Sequence, residues 1–410
     1  MTPSELYLDA AATTPPLPTV IECINAVQRD AWGNPSSLHG TGLVAAERLA
    51  RSRQAITKQL GAQDDELIFT SGATESVHLA LLGVAAGCPP GRLVISAVEH
   101  PAVEGAAAQL EQRGWTVVRW PVDGRGQIRL EYLDELLSPP TLLVSLIWGQ
   151  SEVGTVQPVP LVARACRERG IPCHTDATQL IPQGLMDWSA SSLDLLTFSS
   201  HKLQGPRGIG VLLHRPGVLA QPLLSGGGQE GGHRAGTEAV ALIAGLAVAL
   251  QHLPRFNAER SLAPPGSTPQ IRSLRDRLQS QLAAIPALTV INAAEDQRLP
   301  HHLACLIGDR RGLPLSGRRM VQQLSRLGVA CSSGSACRSG QAQDSDVLTA
   351  MDIAPRWRQS LVRFSLGPWL SSDDLESVPQ LLQQSIDACT SEARGPSVNL
   401  QTCLNPRRPA

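Results

Sequence analysis

The sequence predicts an α/β protein: a large domain with a mostly parallel mixed sheet flanked by helices, plus a smaller α+β domain. Two observations predict it. Short β-rich runs alternate with helix-patterned stretches through the first two thirds of the chain. A break rich in Pro, Gly, Ser and Thr, LAPPGSTPQ at Leu262–Gln270, then separates them from a shorter stretch of mixed pattern. At 410 residues the chain has room for two domains and a sizeable core.

In order, the strand-like runs are DELIFT, RLVISA, TVVRW, TLLVSLI, IPCHTD, LDLLTF and GIGVLL. Between them, Ala102–Gln112 and Val159–Arg169 carry the apolar spacing of helices that cover a sheet. Sheets of this kind bind ligands at the carboxyl ends of their strands. The apolar run Ala239–Leu250 is too short to span a bilayer and reads as a buried helix. After the break, IRSLRDRLQSQLAAI reads as a helix, LTVIN and LACLIGD as strands, and Arg318–Leu327 as a second helix. The polar, Pro-containing stretch from Ser391 reads as a poorly ordered tail.

With 35 Lys and Arg against 36 Asp and Glu, the net charge of -1 argues for neither nucleic acid nor an anionic membrane as partner. No signal-peptide pattern opens the chain, so the cytoplasm is the expected compartment. Nine cysteines, an odd count at irregular spacings, do not suit a disulfide framework. Cys23, Cys166 and Cys305 read as small core residues.

Four clusters fall at strand ends or just beyond them. SGATES, Ser71–Ser76, opens a helix whose N–H groups suit a phosphate together with the Thr74 hydroxyl, although alone it is an ordinary strand-to-helix turn. His100 precedes a proline suited to start a helix, where an imidazole can stack on a flat cofactor or shuttle protons. HTDATQ sets Asp176 at the end of an apolar strand with Gln179 three residues on; a carboxylate there needs a partner, a helix cap being the plainer role. TFSSHKLQGPRGIG sets Lys202 beside Ser199 and His201, two donors suited to phosphate. A lysine desolvated at an enclosed strand end can form a Schiff base with an aldehyde. A phosphate cradle, an aromatic stacker, an acid for a ring nitrogen and a Schiff-base lysine are together the parts that pyridoxal 5'-phosphate requires.

The strings YLDAAATTP, NPSSLH, IFTSGATES, VEHPAV, HTDATQ, FSSHKLQGPRGIG, GGGQEGGHRAGT, CSSGSAC and VRFSLG resemble, in order from residue 7 to about 367, the cysteine desulfurases of the NifS/IscS type. These are fold-type I pyridoxal-phosphate enzymes of the class V aminotransferase group. The resemblance implies the cofactor on Lys202, Asp176 against its ring nitrogen, His100 stacked on the ring, and Gln179 near its phenolic oxygen. It puts Ala73, Thr74, Ser199 and His201 on the phosphate, and Thr237 on the phosphate of a neighbouring subunit, so a homodimer. Arg363 and Asn34 would bind the substrate L-cysteine, and Cys337, in a Ser- and Gly-rich loop, would be the nucleophile that carries a persulfide to a protein sulfur acceptor. That acceptor would be an iron–sulfur scaffold or a thiolation protein.

The division expected is a large domain over residues 20–258, a small one over 1–19 and 259–390 carrying the cysteine loop, and a flexible tail over 391–410. One departure stands out: QSEVG places Gln150 and Ser151 where the family has two asparagines. Two alternatives stay open, a carbon–sulfur lyase acting on selenocysteine or cystine, and a cofactor-binding scaffold of low turnover. Cysteine spacing at Cys331, Cys337 and HHLAC fits known zinc patterns poorly, and neither GPRGIG nor GGGQEGGHRAGT has a nucleotide-loop pattern.

Overall fold

A computed structural model describes residues 5–219, 221–259, 261, 263–334 and 344–392; Cys337 and everything beyond residue 392 lie outside the described residues. The chain starts with strand β1 (Leu6–Tyr7) and helices α1 (Pro18–Asp30) and α2 (Gly40–Leu60). The expected alternation follows: β2 (Leu67–Thr70), α3 (Ala73–Ala85), β3 (Arg92–Ser96), α4 (Pro101–Gln112), β4 (Thr116–Trp120), the single turn α5 (Leu133–Leu136), β5 (Thr141–Ile147), α6 (Val159–Glu168), β6 (Cys173–Asp176), β7 (Leu195–Ser199), β8 (Gly210–His214) and the apolar helix α7 (Val240–Leu250). The remainder comprises α8 (Ile271–Leu282), β9 (Leu288–Val290), β10 (His302–Ile307), α9 (Gly317–Arg326), β11 (Val329–Ala330), α10 (Asp346–Ala350), β12 (Leu361–Ser365) and α11 (Val378–Glu392). Ser391, where the tail was expected to start, is still within α11.

The seven runs read from the sequence form one sheet of order β2-β8-β7-β6-β5-β3-β4. Only β8 runs antiparallel to its neighbours; the pairs β3–β4, β3–β5, β5–β6 and β6–β7 are parallel. Side chains alternate along each strand, so Leu93, Ile95 and Leu195 pack under α3 and α4, while Val94, Leu196 and Phe198 face α2, α6 and α7. With both faces covered the strands need apolar residues throughout, which is why they read as continuous hydrophobic runs. The carboxyl ends of β2, β3, β5, β6 and β7 thereby collect at one edge.

A second core lies around the antiparallel sheet β12-β10-β9 and the parallel pair β1–β11, packed on Leu8, Ile271, Leu278, Phe364 and Leu382. The start of the chain is therefore built into its last third. It is also tied to the central sheet: Thr14 donates to the His201 carbonyl through its N–H (2.9 Å) and its hydroxyl (2.8 Å). Among the described residues no helix is long and apolar enough to cross a membrane.

A charged network closes the second core. The fully buried Arg275 guanidinium donates to both Glu295 carboxylate oxygens (2.6 and 2.8 Å) and to Asp276. Burial would raise the Glu295 carboxyl, but hydrogen bonds from Arg298 and Arg275 outweigh it and hold it at about 2. Because this value is depressed, the network's contribution is present above the ordinary 4.5 and is lost as pH falls toward 2. Glu295→Ala should cost on the order of 2 kcal/mol at neutral pH, since it strips a partner from a buried cation. Melting of the two proteins between neutral pH and pH 2 should converge.

Candidate active site

Two adjacent cavities open at the carboxyl edge of the sheet and share Ala12, His100, Ser151 and Lys202. The inner one, of about 390 Å³, is lined by Ala73, Thr74, His100, Asp176, Gln179, Ser199, His201 and Lys202, so eight of the residues expected from the sequence meet in one wall. The outer one, of about 260 Å³, adds Arg363, Glu152 and the stretch Asp344–Val347.

Each side chain is placed by the element it ends. The turn from β2 into α3 is fixed by the Thr70 hydroxyl, which donates to the Gly72 carbonyl (3.0 Å) and lies 2.7 Å from Ser76 Oγ. That leaves the first N–H groups of α3, with the Thr74 hydroxyl, facing the inner cavity. Gly210, paired with Thr70 across β2 and β8, is what allows this approach. A Cβ there would lie 2.5 Å from Gly72 C and 2.9 Å from Ala73 N. Its signal was in the sequence, as the last glycine of GPRGIG, but only the pairing of β8 with β2 reveals the reason.

His100 caps α4: Pro101 takes the first helical position and His100 Nδ1 accepts a hydrogen bond from Ala102 N–H (3.1 Å). An accepting Nδ1 puts the proton of the neutral ring on Nε2. Burial lowers the imidazole pKa, the charge of Asp176 pulling it back and that of Lys202 adding to the drop. The ring is therefore neutral at pH 7. Asp176, only 5 % exposed at the end of β6, accepts from Thr178 N–H (2.9 Å) through Oδ1. Thr178, which sequence reasoning passed over, has its hydroxyl buried in the same wall with no hydrogen-bond partner among the described residues. Gln179 is anchored by donating from Nε2 to the Ala11 carbonyl (2.8 Å). Lys202 follows β7 on a 3₁₀ turn. Its neighbour His201 lies with Nδ1 3.0 Å from Thr13 Oγ1, and burial, with the charges of Lys202 and Arg207, lowers that imidazole to about 4.

Arg363, on β12 and almost fully buried, donates to Asp9 Oδ1 (2.6 Å) and to the Ser151 carbonyl (2.8 Å), while its Nε has no partner among the described residues. The guanidinium thus reaches the outer cavity from the second core. The departure QSEVG acquires a physical shape: Gln150 is buried, accepts from Glu152 N–H (2.5 Å) and Val153 N–H (2.9 Å), and donates to the Val98 carbonyl (3.3 Å). Gln150 is structural, and Ser151 is the residue of the pair that lines both cavities.

Two expected residues stand elsewhere in this single chain. Asn34 is exposed, its Oδ1 accepting from Ser36 N–H (2.9 Å), and Thr237 is exposed in the loop before α7; neither lines either cavity. Cys337 lies outside the described residues, but Gly334 and Asp344, the described residues flanking that segment, both line the outer cavity. Cys331 is buried and its thiol is pushed up to about 12, mainly by burial, so it stays protonated.

Residues 6–378 match the family described as aminotransferase class-V. The chain is 38 % identical over 386 residues to a cysteine desulfurase of Cereibacter sphaeroides, covering 93 % of this chain and 96 % of that one. It is 36 % identical to the cysteine desulfurase NifS of Azotobacter vinelandii, covering 92 % and 91 %. The chain belongs to the class-V aminotransferase family, as a cysteine desulfurase of the NifS/IscS type. Its fold agrees: a solved NifS-like protein superposes with a TM-score of 0.82 at 30 % identity, covering 94 % of this chain and all of that one.

For this desulfurase, Gly210→Ala should displace the start of α3, because backbone rather than a flexible side chain blocks the new Cβ. The expected result is about tenfold weaker pyridoxal 5'-phosphate binding, read by titrating cofactor-free protein and following cofactor absorbance.

Proposed function

We propose that the enzyme removes sulfur from L-cysteine, giving L-alanine and a persulfide on Cys337 that passes to a protein acceptor, with pyridoxal 5'-phosphate held on Lys202. The observation that carries this reading is the placement of Lys202 between the two cavities, with Asp176 and the α3 N-terminus in the inner one and Arg363 in the outer.

The inner wall fits the cofactor. The start of α3, which the close approach of Gly210 to the Gly72 backbone holds in place, suits a phosphate, and the unpartnered Thr178 hydroxyl suits a polar ligand. Ala73, Thr74, Ser199 and His201 would hold the phosphate, Asp176 the ring nitrogen, Gln179 the phenolic oxygen, and His100 the ring face. When bound, the cofactor ring draws electron density from the substrate's α-carbon and so eases cleavage of its bonds.

The protein's own groups supply the rest. Arg363 can take the substrate carboxylate in place of Asp9, a guanidinium being able to hold a carboxylate by two bonds. His100, neutral and with its proton on Nε2, can hand a proton to the substrate side of the cavity and receive one back. Lys202 moves the second proton from its amine. The Cys337 thiolate forms a bond to the substrate sulfur as the carbon–sulfur bond breaks; the carbon takes a proton and leaves as alanine, so one thiol and one cysteine become one persulfide and one alanine. The acceptor would serve iron–sulfur cluster or thio-cofactor biosynthesis.

A homodimer is part of the proposal. Asn34 lies among exposed Trp32 (71 %), Leu38 (90 %) and Leu43 (55 %), and such apolar surface suits a subunit interface that would bring Asn34 and Thr237 to a neighbour's site. A cytoplasmic location suits the described cysteines, all of them free thiols.

Two variants test the assignment. Lys202→Ala should lose the visible absorbance of lysine-bound cofactor. Cys337→Ala should keep that absorbance yet form no persulfide, detected by alkylation and mass measurement, and lose at least about a hundredfold in desulfurase turnover. Unchanged turnover in Cys337→Ala would overturn the mechanism.

A further inference from the structure

Glu99 adjoins His100 in the chain and has no part in the chemistry above. The residue is 7 % exposed, and its two carboxyl oxygens are treated very differently. Oε1 accepts three hydrogen bonds, from Ser96 N–H (3.2 Å), the Ser96 hydroxyl (2.7 Å) and Ile147 N–H (2.7 Å). Oε2 is buried with no partner among the described residues. An ionised carboxylate carries charge on both oxygens and needs donors at both, so one crowded oxygen beside one buried, bare oxygen penalises the charged form more than the neutral one. Burial pushes this carboxyl up to about 8 against the pull of the Ser96 and Ile147 donors, and the Asp176 charge pushes the same way.

The three bonds join two segments that form the site. Ser96 ends β3, from which the chain turns to present His100; Ile147 ends β5, from which it turns to present Gly149 and Ser151. Gln150 runs alongside, donating from Nε2 to the Val98 carbonyl. The charged and titratable groups around this junction are Asp176 after β6, Lys202 after β7, His100 and Glu104 on the α4 side, Glu152 after β5, and Asp344, Asp346 and Arg363 across the outer cavity. Ionising Glu99 would put a second buried negative charge near Asp176 with one oxygen unsolvated.

We propose that Glu99 is a positioning residue: a neutral carboxyl clamp that fixes the His100 turn against the end of β5 without setting a second negative charge beside Asp176. The proposal rests on the role given to His100 above, but its primary test reads the carboxyl itself, so a failure of the desulfurase reading would leave it standing or falling separately.

The test uses holoenzyme and the variants Glu99→Gln, Glu99→Asp and Glu99→Ala. Infrared difference spectra across pH should show a protonated-carboxyl band that disappears around pH 8 in the natural protein and is absent from Glu99→Gln. The folded value is raised above 4.5, so Glu99's contribution to stability is present below 4.5 and is lost as pH rises to about 8. Melting temperature should therefore fall across that window more steeply in the natural protein than in Glu99→Gln. In turnover, the glutamine variant, which keeps the accepting oxygen and the neutral charge, should recover about tenfold or more in kcat over Glu99→Ala and Glu99→Asp, with KM for L-cysteine similar in all. A carboxyl band titrating near 4.5, the same band in Glu99→Gln, or a glutamine variant as impaired in kcat as the alanine variant would overturn the clamp.

Discussion

Burial of polar groups where the strands end is the constraint on which the site depends, and Asp176, 5 % exposed at the end of β6, stands among them. A carboxylate so enclosed interacts with its neighbours far more strongly than it would in water. His174, two residues back in the same strand, is lowered to about 4 by burial against the pull of Asp176, and sits between Ser145 Oγ (2.8 Å) and Thr197 Oγ1 (3.3 Å) as a neutral core residue. His100 is likewise pushed toward neutrality by burial, and Glu99 is kept protonated. Asp176 is the acid proposed for a cationic ring nitrogen, and it shares the inner cavity with Lys202 and with Glu75, which is paired with Arg234.

The fold delivers these groups by two routes. Parallel strands point their carboxyl ends to one edge, so Glu99, Ser151, Asp176 and Lys202 follow the ends of four neighbouring strands, β3, β5, β6 and β7, each on a backbone pinned by the sheet. Arg363 comes from the other core, on β12, where its bonds to Asp9 and the Ser151 carbonyl link the start of the chain, the β5 loop and the antiparallel sheet. The same guanidinium that binds the two cores together lines the outer cavity, so the substrate-carboxylate role proposed for it would tie substrate binding to the junction between them.

Much of this was legible in the sequence. The seven strands of the main sheet appear as apolar runs because both sheet faces are covered, and the motif residues fall at strand ends because that is where small and polar residues interrupt those runs. Helices α1 and α2, by contrast, leave apolar Ile21, Leu43 and Val44 exposed, which blurs their pattern, and the two-residue strands β1 and β11 exist only through pairing across more than three hundred residues. Thr178, Gly210 and Glu99 were each inside a quoted motif, yet their roles depend on a missing partner, a backbone approach and a bond to Ile147, none of which spacing can express. The Gln150–Ser151 departure looked like one change of chemistry; folded, it divides into a buried brace and a cavity residue.

The most direct measurement of the central claim is to give purified holoenzyme L-cysteine and a thiol reductant and follow alanine and sulfide together. The proposed arrangement, with a ring nitrogen on Asp176, a substrate carboxylate on Arg363 and a sulfur-accepting Cys337, leads to equal amounts of the two products. Pyruvate and ammonia in their place would contradict the account, because they would mean that the carbon–sulfur bond breaks without transfer to a protein thiol.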